Sequence, residues 1–168
     1  MTTEPVPATP GPSLCCDDVW RALEHASFAV VGHVTPAGEP RSSGVVYAIV
    51  DRRLYVAVAP DSWKAIQIAD GAFVSVTVPI RRGGLLSLLF PIPPATISFH
   101  ARSVVHRAGS LGGGSLPEVL RKLVPAERAT NALLLELMPA GRFATYGLGV
   151  SLSAMRHPAT ARALVPVG

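Results

Sequence analysis

Charge is scarce in this 168-residue chain. Asp, Glu, Lys and Arg together make up 15% of it, against about 25% in an ordinary soluble protein. With 49% hydrophobic residues and a mean hydropathy of +0.38, the shortage predicts apolar surface buried beyond a single core, in a subunit interface or against a membrane. A long apolar run is also missing. Leu85 to Ala95 is short and broken by Pro91, Pro93 and Pro94, whereas a membrane span needs about 20 apolar residues. The N-terminal MTTEPVPATPGPS has neither a basic start nor an apolar centre, so no secretion signal is expected. Cysteine is confined to the adjacent pair Cys15 and Cys16, which neighbouring backbone geometry disfavours as a disulfide. A reduced, cytoplasmic protein is expected.

Other absences exclude chemistries. There is no Cys/His set at metal-ligand spacing, no Gly-x-Ser-x-Gly and no His-Glu-x-x-His. The eleven acidic residues form no paired constellation for glycoside-type acid–base work. Aromatics are only 6% and basic residues are not clustered, so no nucleic-acid partner is expected. Lysine is nearly absent too. Only Lys64 and Lys122 stand beside thirteen arginines, and from Gly71 to Pro117 there are four arginines and no Asp or Glu. Arginine suits forked contacts to phosphate or carboxylate. An anionic small-molecule ligand and ordinary surface arginines both fit.

Local patterns give the element order. Residues 1–13 are proline-rich and read as a disordered tail. Asp17 or Asp18 caps a helix running to about His25. Phe28–Thr35 and Arg41–Val50 form a hairpin about a Pro-x-Gly turn. Asp51-Arg52-Arg53 turns the chain into a third strand, Leu54–Val58. A short helix follows, capped by Asp61 or Ser62 and ended at Asp70-Gly71. Phe73–Val78 alternates cleanly and Thr96–Val105 is a long strand. Short helical pieces are predicted at Pro117–Leu123 and Ala126–Asn131. Strands are predicted at Leu133–Met138 and Phe143–Tyr146, separated by a turn at Pro139-Ala140-Gly141. The last fifteen or so residues read as weak helix or coil. Antiparallel strands in this order predict a closed or split barrel rather than a parallel sheet. Gly147-Leu148-Gly149 lacks the third glycine and the helix of a dinucleotide fingerprint.

One segment concentrates ligand-binding chemistry. In LYVAVAPDSWK a strand runs into Asp61-Ser62-Trp63-Lys64, where free backbone N–H groups, a hydroxyl and a lysine can cradle a phosphate. A simple helix cap with a solvated lysine fits the same residues. Arg41-Ser42-Ser43 opens the second strand and offers a guanidinium with two hydroxyls. His33 reads as a partly buried histidine. His100 and Arg102 share one face of the long strand, in a cleft or on the wet side.

The run FAVVGHVTPAGEPRSSGVVYAIVDRRLYVAVAPDSWKAIQIADGAFVSVTV resembles the pyridoxamine 5'-phosphate oxidase-like, flavin-binding split-barrel superfamily. The likeness lies in the opening helix, the Pro-x-Gly hairpin, the third strand leading to Ser-x-Lys, and the alternating valine strand. It covers Val19–Val78 well and runs more loosely to Tyr146. It implies a mainly β, six-stranded antiparallel split β-barrel over residues 14–150, with 151–168 as an extension. It also implies a homodimer, with FMN at the interface. By position, Arg41, Ser62 and Lys64 match residues at the flavin phosphate, with Val58 and Ala59 nearby. Ser42, Ser43, Val45 and Val46 lie on the strand along the flavin ring, and Thr96 falls near a ring-contacting glutamine. Trp63 and Val46 replace an arginine and a lysine of the oxidase. The C-terminal tryptophan and arginine that serve its vitamin substrate have no match. A true pyridoxamine-phosphate oxidase is therefore not expected. An FMN- or F420-dependent oxidoreductase acting on a small molecule is expected, or else a non-catalytic flavin or haem binder. Finally, RRGGLLSLLFPIPP at 81–94 reads as an apolar loop that packs on a subunit or closes a cleft as a lid.

Overall fold

The structure is a computed structural model and describes residues 13–62, 64–65, 68, 71–82, 92–107, 118–124 and 132–168. The expected tail, the second helical piece and the centre of the 81–94 loop lie outside these residues.

Helix α1 (Cys16–Glu24) places Val19, Trp20 and Leu23 on one face, and all three are buried. Its cap is Cys15 rather than the expected Asp17 or Asp18. Asp18 sits at the third helical position, from which its carboxylate reaches back to the Cys15 amide at 3.1 Å. The hairpin follows as β1 (Phe28–Val34) and β2 (Pro40–Val46). The expected strand Arg41–Val50 breaks at Tyr47, and its end becomes β3 (Ala48–Val50). Asp51 and Arg52, both at positive φ, make a two-residue turn into β4 (Arg53–Val58). Then come β5 (Phe73–Ile80), β6 (Ala95–Arg107) and the short helix α2 (Glu118–Arg121).

Two further expectations change at the C-terminal end. Residues 133–146 form one continuous strand, β7 (Leu133–Tyr146), instead of two strands and a turn. Gly141 at φ +75 absorbs the irregularity that Pro139-Ala140-Gly141 announced, opposite a register shift at Ser98/His100 in β6. The terminal segment is not coil. After a short 3-10 turn (Ala154–Arg156) and helix α3 (Pro158–Ala161), β8 (Arg162–Pro166) pairs with β7.

The result is one antiparallel sheet of eight strands, ordered β2-β1-β5-β6-β7-β4-β3, with β8 added along β7. The count exceeds six because Tyr47 divides one strand and the tail supplies another. The sheet is not closed, yet its two edges, β2 and β3, are consecutive halves of one run of chain. The sheet therefore curls into a split barrel.

Rows across the sheet separate inside from outside. Val45, Ala29, Val78, Ile97 and Thr145 follow one another inward and are all buried. α1 plugs this interior, with Trp20 edge-on to Phe143 at 5.5 Å and Phe99 edge-on to Phe143 at 5.2 Å. A smaller cluster of Tyr55, Leu120, Val124, Ala132 and Leu134 lies on the other face of β4 and β7.

Candidate cofactor-binding site

The site grows out of the break at Tyr47. Extending the β3–β4 register backwards would set Val45 opposite Val58 and Gly44 opposite Ala59. The run instead turns to pair with β1, while β2 still passes alongside β4 without a ladder. The stretch where β2 and the end of β4 run side by side unpaired, termed the wedge, is the candidate site. Arg41 and Ser43 belong to the inward-facing series of β2 and reach solvent at the barrel mouth. Arg41 is opposite the buried His33, whose burial was expected.

Beyond β4, Ala59 and Ser62 turn the chain through a Ser62 amide–Ala59 carbonyl bond of 2.9 Å. Ser62 is the helix cap, its Oγ accepting from the Ala65 amide at 3.3 Å. Lys64 and Ala65 are helical, and the Ile68 amide donates to the Lys64 carbonyl. Lys64 is half-buried; Trp63 lies outside the described residues. The Arg41 guanidinium pairs with Glu39 at 3.1 Å, both side chains exposed. This carboxylate had no role in the sequence reading.

The ten expected residues are not all in one place. On β2, Arg41, Ser43 and Val45 face one way and Ser42 and Val46 the other. Val45 is buried in the core and offers a ligand only its backbone, and Val58 is likewise a core residue. Thr96 lies in the outward row Val46–Phe28–Pro79–Thr96. It is three strands from β2, roughly 14 Å at about 4.8 Å per strand, so one chain alone does not bring it to Arg41. His100 and Arg102 are on the wet face, with the His100 ring edge-on to Phe73.

No protein-family model matches the sequence, and none of the curated proteins matches it either. Solved structures do share its fold. General Stress Protein 26 from Bacillus anthracis str. Sterne aligns with a TM-score of 0.57 at 16% identity, over 77% of this chain and 92% of that one. A protein of Clostridium acetobutylicum related to general stress protein 26, of the pyridoxinephosphate oxidase family, gives 0.54 at 9%, over 78% and 87%. HutZ, the haem storage protein of Vibrio cholerae, gives 0.57 at 14%, over 79% and 95%. This chain has the split-barrel fold of pyridoxamine-phosphate-oxidase-like proteins. At these identities the likeness is one of fold, and that fold carries both oxidase-family and haem-storage proteins.

The split barrel also contains a charge cluster that the sequence reading missed. Glu136 is 4% exposed, on the face of β7 away from the barrel core. Arg53 donates to its Oε1 at 2.6 Å and His106 Nε2 lies 2.5 Å from Oε2. Burial pushes the Glu136 carboxyl up, but the hydrogen bonds from His106 and Arg53 outweigh it and hold the group below the ordinary 4.5. A lone acid inside LLLELM was the available signal, because an unpaired charge in an apolar strand demands partners.

Proposed function

We propose that this protein is an oxidoreductase that holds FMN or F420 in the wedge beside β2, at a homodimer interface, and acts on a small molecule. The observation that carries this reading is the departure of β2 from β4 at Tyr47. With no ladder joining β2 to β4, the Arg41–Ser43 segment and the Ser62–Lys64 turn follow the unpaired ends of these two strands, which supports a shared ligand site. A phosphate fits that set. Arg41 presents a forked donor, Lys64 a point charge, and Ser62 keeps its O–H as a donor while its oxygen caps the helix. The Arg41–Glu39 pair is exposed and worth about 1 kcal/mol at most, so a phosphate can displace it. When bound, the flavin or deazaflavin ring carries the hydride, and the protein supplies anchoring and orientation.

The dimer reading is supported by the outward face of β2, β1 and β5. Phe28, Val30, Val34, Val46 and Phe73 are exposed there, between the small residues Gly32, Gly44 and Ser75. A patch of this kind is the surplus apolar surface that the low charge content predicts. A cytoplasmic location is in keeping with two free cysteines.

The test is titration of the full chain with FMN, F420 and haem, followed by NAD(P)H- or reduced-F420-dependent turnover. One of the two redox cofactors should bind, and Arg41→Ala with Lys64→Ala should weaken it by about a hundredfold or more, at about 1.5–3 kcal/mol per charged hydrogen bond. Unchanged affinity in that pair rejects the site. Haem binding alone, or cofactor binding without turnover, selects a storage or sensing protein of the same fold.

A further inference from the structure

A cleft of about 820 Å3 opens between the end of α1 and the segment leaving β5. That volume is within the usual range for small-molecule sites, about 300–1,000 Å3. Its walls are apolar at Ala22 and Ala26 on the helical side, and at Ile80 and Ile92 on the other. Three nitrogen-bearing side chains, His25, Arg81 and Arg82, line it as well, with no Asp or Glu among the described lining residues.

No acid among the described residues cancels the arginine charges. The ion pairs among the described residues involve Arg21, Arg41, Arg52, Arg53 and His106, and none involves His25, Arg81 or Arg82. Arg82 is nevertheless fixed. Its guanidinium donates to the Val150 carbonyl and meets Met155 Sδ at 2.6 Å. Both partners are neutral, so they orient the cation without neutralising it. His25 donates from Nδ1 to the Arg21 carbonyl at 2.7 Å, which holds its ring at the helix end. Arg81 is exposed at the rim.

We propose that this cleft binds an amphipathic carboxylate, with its apolar body between Ala26 and Ile80 and its headgroup on Arg81 and Arg82. An uncharged apolar ligand would leave the cationic rim unused, and a cation would be repelled by it. Phe28 joins this site to the outward face of β2. It lines the cleft, and its ring lies so close over Gly44 that a Cβ there would stand 2.7 Å from it. The site does not depend on whether the wedge carries a flavin.

Isothermal titration of the full chain with decanoate, 1-decanol and decyltrimethylammonium tests this, the two ions kept below their micellar concentrations and the alcohol below its solubility limit. Decanoate should bind about tenfold or more tightly than 1-decanol, and decyltrimethylammonium should not bind. Arg81→Glu should lower decanoate affinity by about tenfold or more, leave 1-decanol unchanged and keep the wild-type melting temperature. Amide shifts on adding decanoate should centre on Ala26, Ile80 and Ile92. Equal affinities for acid and alcohol, an Arg81→Glu protein that binds decanoate normally, or shifts centred elsewhere would each overturn the proposal.

Discussion

The Tyr47 hydroxyl donates to the Leu23 carbonyl at 2.6 Å, while the Tyr47 amide donates to the Ser27 carbonyl at 3.1 Å. One buried residue thus ties the point where β2 leaves β4 to the end of the helix that plugs the barrel. Burial pushes its hydroxyl well above the ordinary 10. Tyr47→Phe should cost about 1–2 kcal/mol in urea unfolding at neutral pH. The raised folded pKa means the contribution is complete below about pH 10 and fades as the pH rises through the folded value. The variant should therefore lose less stability than the parent between neutral pH and alkaline pH. Parallel alkaline profiles would show that Tyr47 does not set that limb.

Glu39 holds Arg41 at 3.1 Å on the exposed rim of the wedge. If a phosphate binds there, it must displace this carboxylate and tolerate its charge. Glu39→Gln should tighten FMN or F420 binding several-fold, with most of the gain at low ionic strength, since exposed charges are screened over about 10 Å at 0.1 M salt. Stability should change by less than about 1 kcal/mol. Weaker cofactor binding in Glu39→Gln would mean that the acid positions Arg41 for its ligand instead of competing with it.

Val34 on β1 and Phe73 on β5 are each 64% exposed, and extending the β1–β5 register sets them opposite one another. If this face is the dimer interface, Val34→Glu with Phe73→Glu should give a particle of 17.6 kDa by light scattering, where the parent gives twice that mass. Both side chains are on the outside of the barrel, so the far-UV circular dichroism should not change. A mutant that stays dimeric would move the interface to another face.

Glu136 is the one buried acid among the described residues, and a fall in pH acts on it. Its folded pKa is depressed, so its stabilising contribution is present above the unfolded value near 4.5 and is lost as pH falls through the lower folded value. Glu136→Gln should cost about 1–3 kcal/mol at pH 7, because Arg53 and His106 lose a charged acceptor. The same variant should flatten the acid unfolding limb below about pH 4.5. An unchanged acid limb would assign that transition to other carboxylates.

Much of this architecture was legible because it rests on local periodicity. Phe73–Val78 alternates so regularly that its strand and its buried face could be read directly, and the Asp51-Arg52 turn announced itself by composition. The break at Tyr47 could not be read. Val45, Val46 and Tyr47 are good strand formers and Ala48 is no breaker, so only the tertiary bond to Leu23 shows why the chain changes partner there. Pro139-Ala140-Gly141 misled for the opposite reason. Turn-forming residues within a long strand mark a bulge when both flanks pair with the same neighbour, a fact only β6 supplies. For the candidate site, Ser62 as a cap was readable, but Glu39 beside Arg41 and the distance of Thr96 from β2 depend on the register of distant strands.

Gly147 joins the C-terminal turn to the proposed carboxylate cleft. It has φ +75, and a Cβ on it would stand 2.5 Å from Met155 Cε and 3.1 Å from Sδ. Met155 in turn meets Arg82, and its carbonyl accepts from the Tyr146 hydroxyl at 2.6 Å. Gly147→Ala thus carries two burdens: the left-handed backbone, at about 1–2 kcal/mol for a side-chain-bearing residue, and displacement of the methionine that steadies Arg82. Gly38 separates them. Its φ is +82 and nothing lies within 4 Å of the Cβ position, so Gly38→Ala meets the backbone cost alone. In urea unfolding Gly147→Ala should be the more destabilised of the two, and in titration it alone should weaken decanoate binding. Equal destabilisation would mean that the Met155 side chain swings aside freely. Unchanged decanoate affinity in Gly147→Ala would then show that Arg82 keeps its place without Met155.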